Sequence, residues 1–117
     1  MGTIETKNAI IESASLSVQD HGQLSAWIYL DYGGSGQGFG GWSLYNPEYP
    51  HVPNYAGLWI WRTLEVVGVG KWEDLKGRTI RVRGNLERIE AIGHIIKDLW
   101  FEPWVEFEAL KSARGSK

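Results

Sequence analysis

From Gln23 to Leu30 the side chains alternate without a break. Leu24, Ala26, Ile28 and Leu30 are aliphatic, and Gln23, Ser25, Trp27 and Tyr29 stand between them. A period of two fits an extended strand with one buried face and one open face. The open face of this strand carries two aromatic rings among polar neighbours. Gly33-Gly34-Ser35-Gly36 follows directly, and such a cluster closes a hairpin. A further strand is therefore expected from Gln37 to about Leu44. Its glycines, Gly38, Gly40 and Gly41, weaken it and point to a bulge or to the close approach of another backbone.

The rest of the chain fills in around this hairpin. Residues Thr3 to Val18 are β-permissive and read as one long, bent strand, closed by a turn at Asp20-His21-Gly22. Pro47, Pro50 and Pro53 make an irregular loop of Asn46 to Pro53. A helix is expected from an Asn54 N-cap to a stop at Gly68. Its apolar stripe is centred on Ile60, Leu64 and Val67 and widened by Leu58 and Trp61, with Trp59, Arg62 and Val66 off centre. A short turn follows at Trp72 to Leu75. Arg78 to Gly84 and Arg88 to about Ile96 read as two more strands, with a turn at Gly84-Asn85. Pro103 breaks what precedes it, and Trp104 to Leu110 suits a short terminal helix. The expected class is α+β and β-rich, in the order β-β-β-α-β-β. Either a five-stranded antiparallel sheet crossed by one main helix or an OB-like half-barrel satisfies that order. Residues 1–111 are expected as one domain and 112–117 as a flexible tail.

Composition removes several function classes. A chain of 117 residues fits one domain. It has no cysteine, which excludes disulfides, thiol nucleophiles and cysteine metal sites. That absence leans towards a cytoplasmic setting, because small secreted domains often need disulfide staples. Met1 to Glu12 shows no basic patch followed by an apolar run, so no signal peptide is expected. No apolar stretch is long enough to span a bilayer. A formal net charge of −2 provides no global positive field for DNA or membranes.

Three features can carry binding. The first is the glycine-rich run Tyr32 to Trp42, YGGSGQGFGGW. Its backbone N–H groups can face an anion, but it lacks the Lys-Ser/Thr of a P-loop, and no βαβ unit supports a dinucleotide fingerprint. Such a run is either a tight hairpin or a pocket wall bearing Tyr32, Gln37, Phe39 and Trp42. Strict alternation puts Gln37 and Phe39 on one face and Trp42 on the other unless a bulge intervenes. The second is the aromatic set, which includes Trp27, Tyr29, Trp59, Trp61, Trp100, Phe101 and Trp104. With seven Trp in so short a chain, these rings serve cores, subunit interfaces or stacking on bases. Trp59 and Arg62 beside the glycine run are candidates for an aromatic–arginine nucleotide pocket. The third is the basic strip of Arg81 and Arg83, with Lys76, Arg78 and Arg88 nearby. It follows a phosphate backbone or forms an ion-paired surface with Glu73, Asp74, Glu87 and Glu90. His21 in its turn is a candidate for anion binding. His21, His51 and His94 show no metal-ligand spacing, and no nucleophile elbow or paired carboxylate is visible. The expectation is a non-enzymatic binding protein without cofactor or metal.

Asp20-His21-Gly22, LDYGGSGQGFGG at Leu30 to Gly41, VVGVGKWEDLKGRTIRVR at Val66 to Arg83 and IGHIIKDLWFEP at Ile92 to Pro103 form a pattern. It resembles a family of short, largely uncharacterised proteins encoded by tailed bacteriophages and prophages. The resemblance covers most of Asp20 to Pro103, apart from the loop between Asn46 and Tyr55. It carries over no catalytic or ligand residue. It implies a cytoplasmic role in an infected bacterium against a host defence. The partner would be a protein effector, inhibited in the manner of an anti-CRISPR, or a nucleotide immune signal that is sequestered. The alternatives are an OB-like single-strand binder of phage replication or recombination and a minor virion or assembly protein. The number of aromatics in a small interior favours a homo-oligomer.

Overall fold

A computed structural model describes residues 5–32, 36–85 and 88–115. The architecture is α+β and β-rich. The strands are β1 (Glu5–Val18), β2 (Leu24–Asp31), β3 (Gly36–Gly40), β4 (Thr79–Gly84), β5 (Ile89–Gly93) and β6 (Trp100–Phe101). The helices are α1 (Ala56–Val67) and α2 (Pro103–Gly115). The strands form one antiparallel sheet in the order β3-β2-β1-β4-β5-β6.

β1 organises the sheet. Its first half, Glu5 to Ile10, pairs with β4, and its second half, Ile10 to Val18, pairs with β2. The register slips between Ile11 and Ser13, which bends the strand where it changes partners. The sheet curls enough to bring β3 close to β5. Ala9, Ile11, Ala26, Ile28, Leu30, Ile80, Val82 and Ile92 fill the inner face. α1 packs over β5 and β6. Phe39, Trp59 and Phe101 meet at the centre, with Trp59 stacked 5.8 Å from Phe39 and edge-on to Phe101 at 6.4 Å. No helix among the described residues is long and apolar enough to cross a membrane.

Several elements differ from the sequence expectation. The sheet has six strands, because Trp100–Phe101 adds a two-residue edge strand, too short to show a period. His94 shapes the turn before it: its Nδ1 accepts from the N–H groups of Ile96 and Lys97, each at 3.0 Å. That turn ends β5 at Gly93, three residues short of the expected Ile96. The continuous run of β3 stops at Gly40, because Gly40 and Gly41 take φ of 148° and 85° and bulge the chain. The chain rejoins β2 near the expected end, where Leu44 N–H donates to Leu24 O at 2.9 Å and Leu24 bridges Tyr45. Pro103 opens α2 as its first residue, where a missing N–H costs nothing, and the helix continues past Leu110 to Gly115. α1 begins two residues after Asn54, whose Oδ1 accepts the Ala56 N–H at 3.0 Å. Its C-terminal stop is the expected one: Gly68 takes φ 89° and donates to Leu64 O.

The α1 stripe is also rotated. Trp59, Thr63, Val66 and Val67 are buried, while Trp61 is 68% exposed and Ile60 and Leu64 are half-buried. Seven of the twelve residues in AGLWIWRTLEVV are large and apolar, so more than one apolar stripe can be drawn on this helix. The fit of Trp59 between Phe39, Phe101 and Trp72 selects the one that is buried. The glycine cluster Gly33-Gly34-Ser35, expected to close the hairpin, lies outside the described residues.

Candidate functional site

Alternation along β2 sends Trp27 and Tyr29 to the outer face, opposite Ala26, Ile28 and Leu30. Their cross-strand partners on β3 are Gly40 and Gly38. The two rings lie 5.9 Å apart and 15° from parallel, and Tyr29 is 43% exposed. The β3 glycines make room for this pair. A Cβ on Gly38 would sit 2.8 Å from the Trp27 indole, and one on Gly41 would sit 2.5 Å from it. The close approach expected at these glycines therefore comes mainly from an indole ring. Only at Gly40 is it backbone, where a Cβ would collide with Ala26 O.

The same glycines re-aim Trp42. Strict alternation would place it opposite Phe39, but the left-handed backbone at Gly40 and Gly41 brings it to the Phe39 side. There it meets Phe39 edge-on at 5.3 Å and Phe107 at 6.2 Å. Gln37, paired with Leu30, faces inward, and its Oε1 accepts the Tyr32 hydroxyl at 2.5 Å. A cleft of about 350 Å³ opens along the β3 edge between Trp27, Gln37, Gly41 and Trp42 on one side and Arg88 and Ile89 on the other. Arg88 is exposed and follows the β4–β5 turn, where its N–H donates to Asn85 Oδ1. Its guanidinium has no carboxylate within ion-pair distance among the described residues. The cleft thus offers an indole face, an amide, glycine backbone and one positive charge.

The remaining candidates are distributed elsewhere. Phe39 and Trp59 are fully buried in the core and present no surface to a ligand. Arg62 is committed to the fold. Its Nε and Nη2 donate to the Glu106 carboxylate at 2.9 and 3.1 Å, its Nη2 also to Trp100 O at 2.6 Å, and its Nη1 to Glu65 at 2.5 Å. Hydrogen bonding to Glu106 raises its pKa, against the opposing effect of partial burial, with Glu65 adding to the rise. Trp59 and Arg62 therefore do not join the glycine run in one pocket. Arg81 and Arg83 flank the Trp100 ring at 4.9 and 4.2 Å. Arg81 also donates to His94 O and Lys97 O, each at 2.7 Å, which ties β4 to the β5–β6 turn. Neither arginine has an ion pair among the described residues, so the strip is an arginine–tryptophan stack rather than a salt-bridged surface. Glu87 lies outside those residues. Tyr32 carries Lys7 Nζ 5.5 Å from its ring centre. His21 belongs to a short 3-10 turn, Asp20–Gly22, and its side chain lies outside the described residues. No three His, Asp or Glu side chains converge as a metal-ligating group among the described residues.

Of the expected site residues, Gln37 and Trp42 meet in the cleft, with Tyr32 bonded to Gln37. Trp27 and Arg88 complete it and were not singled out as ligands. The signal for Trp27 was present in the sequence: an aromatic pair on the polar side of a strictly alternating strand has no core to fill. Arg88 carried no such signal, because it meets β3 only through the curl of the sheet. No family model, no curated protein and no solved structure matches this chain.

Proposed function

We propose that the chain is a non-enzymatic binding module of OB-like architecture that takes a ligand bearing a nucleobase and a phosphate in the cleft between β3 and Arg88. Support for the architecture comes from the long, bent β1 shared by β2 and β4, the order β3-β2-β1-β4-β5, the approach of β3 to β5 and a helix between β3 and β4. In such barrels the strand 2–3 face and the 4–5 loop are the ligand surface. Here those elements supply Trp27 and Arg88.

The observation that carries the reading is the Trp27 indole held flat on glycines beside a guanidinium with no ion pair among the described residues. An indole so placed is pre-positioned to stack on a base, and Arg88 to meet its phosphate. The cleft volume, about 350 Å³, falls in the ~300–1,000 Å³ range of small-ligand sites. With a net charge of −2, this favours a nucleotide-sized ligand over a long strand tracked by many cations. In a phage-infected cell such a module would sequester a nucleotide signal. Binding of single-stranded DNA would use the same base and phosphate chemistry.

The test is a titration of intrinsic tryptophan fluorescence with a short oligothymidylate and with mononucleotides. Saturable quenching is expected, weakened in Trp27→Ala by about 1–3 kcal/mol, the usual worth of one stacked base. Absence of saturable binding at low salt would refute the reading.

A further inference from the structure

A second, smaller cleft of about 70 Å³ adjoins the first. The two share Trp42, Arg88 and Ile89, and the second adds Glu90, Glu102 and Trp104. Arg88 thus stands between two indoles: Trp27 in one cleft, and Trp104 in the other. Trp104 is 65% exposed in the first turn of α2, where a ring of its size has no core to fill. Glu90 and Glu102 are half-buried beside it. Neither is within ion-pair distance of Arg88 or of any other cation among the described residues. One guanidinium and two carboxylates therefore border this groove with no direct ion pair between them.

From this arrangement we infer that the groove is a two-base site: a dinucleotide binds with its phosphodiester at Arg88, one base on Trp27 and a guanine on Trp104. The inference rests on the cleft reading above and extends it to a second platform. A stacking ring alone accepts any base. The carboxylates supply the discrimination. Guanine presents N1–H and N2–H2 as adjacent donors, which a carboxylate accepts side by side, whereas thymine offers one imino donor between two carbonyl acceptors. A carboxylate pair would equally suit a Lys or Arg side chain, but such a cation would give Arg88 in the same groove no anion to meet.

The experiment is calorimetric titration of the full chain with guanylyl-guanosine, thymidylyl-thymidine and guanosine monophosphate. Guanylyl-guanosine is expected to bind about tenfold tighter than either of the others, within the range of one added stacked base. Trp104→Ala, a change at an exposed position, should bring guanylyl-guanosine down to the level of the monophosphate. Glu90→Gln and Glu102→Gln should each narrow the preference for guanylyl-guanosine over thymidylyl-thymidine. Equal affinities for guanylyl-guanosine and the monophosphate, or a guanine preference intact in both Gln variants, would overturn the second platform. If Trp27→Ala still weakened every ligand in that case, the first cleft would stand alone. Failure of all three ligands to bind the wild type would overturn both readings.

Discussion

Replacing Arg62 by Ala should be the most destabilising single change outside the apolar core. Arg62 joins three elements at once: it leaves α1, grips Glu106 on α2 and caps the Trp100 carbonyl of β6. Its side chain is 18% exposed and that of Glu106 27%, so the pair is largely but not wholly withdrawn from water. A hydrogen bond to a charged partner contributes about 1.5–3 kcal/mol net. Truncation removes the two-pronged Glu106 contact and also strands the Trp100 carbonyl. Glu106 keeps some access to water, which limits the penalty. The expected loss is about 2–3 kcal/mol, or roughly 8–12 °C in Tm at about 4 °C per kcal/mol for a chain of this size.

Urea unfolding followed by tryptophan fluorescence and far-UV circular dichroism would measure it as a lower midpoint at unchanged slope. A double-mutant cycle assigns the partners. Coupling of Arg62 to Glu106 should be about 1–2 kcal/mol, whereas coupling to the exposed Glu65, three residues along the helix, should stay below about 0.5 kcal/mol. A total loss under about 0.5 kcal/mol, or a Glu65 coupling larger than that to Glu106, would refute the reasoning. The pH dependence has a definite sign. Because the folded-state pKa of Arg62 is raised, chiefly by Glu106, its contribution is fully present below the unfolded-state value. It is lost only as pH climbs past that value through the folded one. Across neutral and mildly alkaline pH the destabilisation in Arg62→Ala should therefore be constant. Ligand affinity should change less than stability, since Arg62 lines neither cleft.

Thr63→Val should be neutral or stabilising by up to about 1 kcal/mol in the same urea assay, because the buried Thr63 hydroxyl has no hydrogen-bond partner among the described residues; a clear loss of stability would reveal a bond the hydroxyl makes. Gly93→Ala should cost about 1–3 kcal/mol, since its Cβ would sit 2.7 Å from the Trp100 ring and displace it from its contacts with Arg81 and Arg83; unchanged stability would mean that the ring is free to move. Gly38→Ala should displace the Trp27 indole, 2.8 Å from the new Cβ, and weaken nucleotide binding more than folding; equal affinity would show that the ring position is immaterial.

How much of this was legible depended on whether a pattern was local. β2 could be read to within one residue at each end because its alternation is unbroken. The turn at Asp20–Gly22 and the stop at Gly68 were equally plain, since positive φ selects glycine whatever surrounds it. The α1 stripe was not legible. LWIW offers apolar groups in every direction, and the choice among them lies with Phe39, Phe101 and Glu106, which are distant in sequence. β6 escaped because two residues have no period. In the candidate site, the glycines of β3 announced a close approach but not its partner. Phe39 and Trp59 looked as available for stacking as Trp27 and Trp104. Only the curl that brings β3 to β5 separates rings that seal the core from rings that line a cleft.

The most direct test of the cleft follows the seven tryptophan indole N–H signals by ¹H–¹⁵N correlation spectroscopy as guanylyl-guanosine is added, with assignments from single Trp→Phe variants. Selective, saturable shifts at Trp27, Trp42 and Trp104, with Trp59 unmoved in the core, are the expected result. Shifts confined to Trp61 and Trp72, or an unchanged spectrum at saturating ligand, would contradict the site.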